Sequence, residues 1–162
     1  MNTAYLDVLD FHNKFEVPLS DKPALLQGEA LKFRVNFLQE ELNELQKAHD
    51  DANLEDALDA LIDLQVVLLG TAQFMGISHD CWQAAWKEVH RANMAKERCT
   101  DASQSKRGTA LDIRKPAGWT APNHTPIILQ FASFDRNADA QLQKYNFSED
   151  LRLMAEEVVI SI

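Results

Sequence analysis

Glycine, proline and cysteine are scarce in this chain, and no long stretch of it is apolar without interruption. Five glycines and five prolines among 162 residues leave room for long helices. Two cysteines, Cys81 and Cys99, lack CxxC spacing and supply neither a zinc site nor a disulfide framework. They read as reduced thiols of a cytoplasmic protein. The most apolar stretch, residues 61–77, contains Asp63, Gln65 and Gln73, which makes it too polar and slightly short for a membrane span. Residues 1–10 are acidic and show no signal-peptide core. Basic residues are also in deficit: 16 Lys and Arg stand against 25 Asp and Glu, a formal charge of −9. Such a surface repels nucleic acid and anionic lipid, so neither is expected as a partner. An anionic substrate would need a cationic bridge to this protein, and a divalent metal is the obvious candidate.

What is present is apolar periodicity. Hydrophobic residues make up 46%, enough for one packed domain. Residues 3–15 read as a first helix and 17–23 as a connector broken by Pro18 and Pro23. A long helix is expected over 28–50, with Leu31, Val35, Leu38, Leu42 and Leu45 marking a buried face. Asn53 is placed to cap a third helix, 54–75, which stops at Gly76. Ser78 can cap a fourth, 79–97, with Trp82, Ala85, Trp86 and Val89 facing the core. Residues 99–126 read as a long irregular segment rich in Gly, Pro and basic residues, part of one domain over 1–126. Residues 127–162 form an extension in which Ser148 can cap a last helix carrying Leu151, Leu153, Met154 and Val158. Strand alternation is nowhere convincing, and the class is all-α, a four-helix bundle core.

The third helix carries an anomaly. At about 100° per residue, Asp56, Asp59, Ala60, Asp63, Val67, Gly70 and Phe74 share one stripe. The remaining positions are mostly Leu, Ile, Val or Ala, which predicts a helix in the middle of the protein. Buried carboxylates are costly unless paired or metal-bound. The preceding helix supplies no cation here but more acid, Glu40-Glu41-Leu42-Asn43-Glu44. Taken alone, such a run is common on exposed helices. Packed antiparallel, however, the two helices let Glu41 and Glu44 face Asp59 and Asp63. Four carboxylates in a half-buried groove suit Mg²⁺ or, as a substitute, Mn²⁺.

Glu40-Glu41-x-x-Glu44 followed by an Asp-bearing apolar helix resembles the MazG-like all-α NTP pyrophosphohydrolases. These include the phosphoribosyl-ATP pyrophosphohydrolases and the dimeric dUTPases and dCTPases. The closer likeness, to a bacterial and phage branch, rests on four further stretches. They are Asp59-Ala-Leu-Ile-Asp63-Leu with Gly70-Thr-Ala, Glu88-Val-His-Arg-Ala-Asn93-Met-Ala-Lys96, Lys106-Arg-Gly, and Lys115-Pro-Ala-Gly-Trp119. The last of these speaks against the histidine-synthesis branch. The likeness covers about residues 5–123.

The resemblance implies hydrolysis of a nucleoside triphosphate, with a deoxynucleotide favoured, between its α and β phosphates. It implies metal on an ExxE pair, here Glu41 and Glu44, and on an ExxD pair whose Asp is Asp63. The Glu of that second pair is missing: Ala60 stands in its place. Asp59, one residue earlier, is assigned as the substitute, with Asp56 one turn earlier as the alternative. Glu40 resembles the residue that orients or deprotonates the attacking water. Asn93 and Lys96 suit base, sugar or phosphate contacts. Lys106, Arg107, Lys115 and Trp119 suit a lid, or equally a solvated loop. The five histidines show no ligand spacing. A homodimer or dimer of dimers is expected, because the third helix has more apolar surface than one short bundle covers. The competing reading is a catalytically inactive helical interaction or regulatory protein of the same fold, kept open by Ala60.

Overall fold

A computed structural model describes residues 3–132 and is mostly helical. The chain divides into two compact units, one built on Met1–His79 and one on Asp80–Phe131.

The first unit contains α1 (Thr3–Lys14), α2 (Gly28–Asp50) and α3 (Leu54–Phe74). The α2–α3 turn ends as the sequence indicates: Asn53 Oδ1 accepts the backbone N–H groups of Glu55 at 3.1 Å and Asp56 at 3.2 Å. α3 stops at Met75 and Gly76. Gly76 has φ +66°, and a Cβ there would stand 2.1 Å from the Lys22 carbonyl oxygen, so only glycine fits. That close approach lets the connector return over the end of α3, where Leu26, Ala30 and Phe74 pack with Val17, Leu19 and Met75.

α1 packs on α3 through Tyr5, Val8 and His12, all buried. Gln73 ties the pair together. Its Nε2 donates to the Tyr5 carbonyl at 2.9 Å, which turns its Oε1 toward His12 Nδ1 at 2.7 Å. A carbonyl can only accept, so this orientation makes His12 Nδ1 the donor.

The buried face of α2 differs from the expected one. Ala30, Arg34, Glu41 and Ala48 are buried, whereas Leu31, Val35 and Leu42 are about half exposed. α3 likewise buries Ala60, Val67, Gly70 and Phe74 of the acidic stripe and leaves Leu58, Leu61, Ile62, Val66 and Leu68 open. Among the described residues the helix is therefore not surrounded. Periodicity reports which residues share a face, and it is silent on what covers that face. Length and composition alone would let α3 cross a bilayer. Its acidic stripe and its packing on α1 and α2 are those of a bundle helix.

The second unit carries α4 (His79–Met94), β1 (Glu97–Arg98), a 3-10 turn at Ala102–Gln104, β2 (Ile113–Arg114) and α5 (Thr125–Ala132). α4 ends three residues earlier than expected, because Glu97 and Arg98 pair antiparallel with Arg114 and Ile113. Arg114 reinforces the pair by donating to Glu97 at 2.9 Å. Two-residue strands leave no alternation to read, and their partners lie far apart in sequence. α5 falls where the irregular segment, 99–126, meets the extension that follows it. The expected Ser148-capped helix lies outside the described residues.

Candidate active site

α2 and α3 run antiparallel. Arg34, early in α2, reaches Val67 and Thr71 late in α3. Glu41, further along α2, lies within the fields of Asp63 and Asp59, further back on α3. Glu41 is only 6% exposed, and its Oε2 is buried with no hydrogen-bond partner among the described residues. Burial holds its proton more tightly than in an ordinary carboxyl. The negative charges of Glu44, Asp63, Glu40 and Asp59 act in the same direction.

The groove is less uniform than the sequence implies. Glu40, Glu44, Asp59 and Asp63 are all exposed, and only Glu41 is buried. The burial expected of four carboxylates is thus concentrated on one, because Ala60 and Val67 take the most enclosed positions of the stripe on α3. Glu40 and Glu44 also line a shallow groove with Asn36, Gln39, Asn43 and Lys47. Asp56 belongs elsewhere: it acts on Lys47, and its backbone N–H caps onto Asn53. Asp59 is the one of the two that acts on Glu41.

All the donors around Glu41 are hard oxygens, which suit Mg²⁺ or Mn²⁺. Among the described residues no three Asp, Glu, His or Cys side chains converge closely enough to chelate one ion as they stand. The orphaned Glu41 oxygen nevertheless fits a cation. A buried carboxylate without a donor costs several kcal/mol unless it is protonated or neutralised. Its four acidic neighbours sit on exposed positions, where rotamers interchange at little cost.

The second unit gathers four of the five residues expected to contact substrate. Trp119 donates its indole N–H to the Ala92 carbonyl at 2.6 Å. Lys115 Nζ lies 4.3 Å and Lys96 Nζ 5.9 Å from the Trp119 ring centroid. Lys96 also donates to Asn93 Oδ1 at 2.8 Å. Asn93, Lys96, Lys115 and Trp119 therefore form one cationic, aromatic patch. Arg107 is held in its own loop, donating to Asp112 Oδ1 at 2.7 Å. The Ser105 hydroxyl first, and Arg107 after it, hold Asp112 below the usual carboxylate range.

One device in this unit escaped the sequence reading. Arg91 donates twice to Glu88, at 2.8 Å each, and reaches the Thr120 hydroxyl at 3.2 Å. Glu88 in turn accepts the Asn123 backbone N–H at 3.1 Å. Arg91, with the Asn123 N–H second, pushes the Glu88 carboxyl down to about 2. The clamp fastens residues 120–123 to α4 just beyond Trp119. Its only legible signal was the i,i+3 Glu–Arg spacing, which is common on exposed helices.

No curated protein matches the chain. The family model for phosphoribosyl-ATP pyrophosphohydrolase matches residues 8–93, from α1 to Asn93, and so takes in Glu40, Glu41, Glu44, Asp59 and Asp63. It stops short of Lys115 and Trp119 and bears on neither. With more than half its length matched, the chain belongs to the phosphoribosyl-ATP pyrophosphohydrolase family, within the MazG-like all-α NTP pyrophosphohydrolase superfamily.

Proposed function

We propose that this protein hydrolyses a nucleoside triphosphate between its α and β phosphates, releasing the monophosphate and pyrophosphate, with Mg²⁺ or Mn²⁺ as cofactor. Family membership implies pyrophosphohydrolysis of a nucleotide. The observation that carries the metal-dependent reading is Glu41: a buried carboxylate with an orphaned oxygen, acted on by four further acids. The likeness to dimeric dUTPases and dCTPases favours a deoxynucleotide.

Glu41, Glu44, Asp59 and Asp63 would hold the metal. When bound, it neutralises phosphate oxygens and lowers the pKa of a water. Asp59 is preferred to Asp56 because Asp59 acts on Glu41. Glu40, exposed and adjacent to Glu41, orients the attacking water and takes its proton. Asn93, Lys96, Lys115 and Trp119 contact the nucleotide: the ammonium groups suit phosphate and the indole suits a base. Arg107, paired with Asp112, joins them only by leaving that partner. The open apolar residues of α2 and α3 support a homodimer or dimer of dimers, since covering a Leu contributes about 1.5–3 kcal/mol. Cys81 and Cys99, both buried and neither in a disulfide, suit a reducing cytoplasm.

A second reading has its own observation. Ala60, where the resemblance expects a metal-binding Glu, is almost completely buried and offers no ligand. It favours an inactive helical interaction protein. One experiment separates the two: incubate the purified protein with Mg²⁺ and each common NTP and dNTP, together with phosphoribosyl-ATP, and detect pyrophosphate. Release from a triphosphate supports the proposal. Release from none, with no Mn²⁺ binding, selects the inactive reading.

A further inference from the structure

Arg34 is 4% exposed, and among the described residues no carboxylate pairs with it. Its Nε donates to Thr71 Oγ1 at 3.0 Å and its Nη2 to the Val67 carbonyl at 2.7 Å. The rings of Phe74, Phe37 and Phe33 surround the guanidinium at 4.9, 5.3 and 5.8 Å. Burial lowers its pKa to about 10, which still leaves it charged at neutral pH. A buried cation is an expensive way to fill space between two helices, and a Leu or Met would do so more cheaply. What an apolar side chain lacks is direction. The small residues on these facing stripes, Ala30, Ala48 and Ala60, offer little resistance to a slip of α2 along α3. Two hydrogen bonds to fixed points on α3 resist it.

The spacing connects this pin to the acids. Glu41 lies seven residues beyond Arg34 on α2, close to two turns and on the same face. Asp59 and Asp63 lie eight residues before Val67 and Thr71 on α3. In an antiparallel pair, nearly equal steps in opposite directions bring these groups to about one level. Gly70 completes the device. A Cβ there would stand 3.1 Å from Arg34 Nη2 and 3.2 Å from His12 Cε1.

We propose that Arg34 is a positioning residue: its guanidinium sets the α2–α3 register that brings Glu41 level with Asp59 and Asp63. The assignment rests on the metal-site reading above for its consequence, though not for its geometry. The test compares wild type with Arg34→Met, Arg34→Lys and Gly70→Ala. Crystal structures without metal report the register. Titration of free Mn²⁺ by electron paramagnetic resonance reports the site. In Arg34→Met, Glu41 is expected to move out of level with Asp59 and Asp63, and Mn²⁺ affinity to fall about tenfold or more. The loss of turnover should sit mainly in kcat rather than in KM. Arg34→Lys keeps one donor and should recover part of both. Gly70→Ala, which keeps the guanidinium but crowds it, should shift both in the same direction and decides the matter if Arg34→Met does not fold. A folded variant with unchanged register and wild-type Mn²⁺ affinity would overturn the proposal. Absence of Mn²⁺ binding by wild type would instead overturn the metal site, and the metal-free register would still decide the role of Arg34.

Discussion

His12 Nδ1 donates to Gln73 Oε1 across 2.7 Å of buried interface between α1 and α3. That bond fixes the orientation of the ring; its charge is set by the surroundings. Burial first, with the nearby Arg34 charge assisting, lowers the His12 pKa below its ordinary 6.5, although the Gln73 bond opposes them. Above pH 6.5 neither folded nor unfolded chain protonates this group, and it makes no difference to stability. As pH falls below 6.5, the unfolded chain takes up a proton that the folded chain refuses, and stability is lost. Glu41 works in the opposite sense. Its pKa is raised above the ordinary 4.5, so between 4.5 and the folded value the unfolded chain has ionised while the folded one still holds its proton. Stability is lost as pH rises through that window and regained on acidification. In EDTA, His12→Asn should flatten the loss below pH 6.5, and Glu41→Gln should flatten the acid-side gain. Melting curves from pH 4 to pH 8 check both, and parallel curves for all three proteins would contradict the assignment.

Glu41→Gln, Glu44→Gln and Asp63→Asn should each abolish turnover in a folded protein. Glu40→Gln should slow the chemistry, by about a hundredfold if it acts as the general base, with metal affinity retained. Single-turnover kinetics beside Mn²⁺ titration separate the two effects. Near wild-type turnover in Asp63→Asn would remove that residue from the site.

Divalent metal should raise the melting temperature, because it binds only the folded arrangement of acids. The gain is about 2.7 kcal/mol at a hundredfold excess over Kd. Na⁺ at matched ionic strength should do little. Because Glu41 is the buried member, Glu41→Gln should melt higher than wild type in EDTA and gain least from metal. The same substitution at exposed Glu44 should matter less to the metal-free protein. Equal responses to Mg²⁺ and Na⁺ would return these acids to an ordinary solvated surface.

Leu61 and Ile62 are each about half exposed on α3, beside Leu58, Val66 and Leu68. Leu61→Glu with Ile62→Glu should convert a sedimenting dimer or tetramer to monomer at micromolar concentration. A wild-type protein that is already monomeric there would exclude the assembly.

Trp119→Phe removes the donor to the Ala92 carbonyl while keeping an aromatic ring beside Lys115. The lost hydrogen bond should cost about 1 kcal/mol of stability. If the patch binds nucleotide, KM should rise more than kcat falls, and Lys115→Met should raise KM further. Unchanged KM in both would make the patch structural.

Local and periodic features of this protein were determined by its sequence alone. The spans of α1 to α3, the Asn53 cap and the Gly76 stop follow from short-range hydrogen bonding and backbone sterics, which neighbouring residues decide. The acids of α2 and α3 were legible as groups because helical spacing puts them on shared faces. Other features needed the tertiary structure. Helical spacing could not tell that Glu41 alone is buried while Leu31, Val35 and Leu42 are open, since a face becomes buried only when something packs on it. Nor does spacing show that Phe33, Phe37 and Phe74 enclose Arg34. Nor could spacing decide between Asp59 and Asp56 in relation to Glu41, or set Trp119 between Lys96 and Lys115 while leaving Arg107 to Asp112. Each of these depends on pairs distant in the chain, whose meeting is a property of packing and not of any local preference.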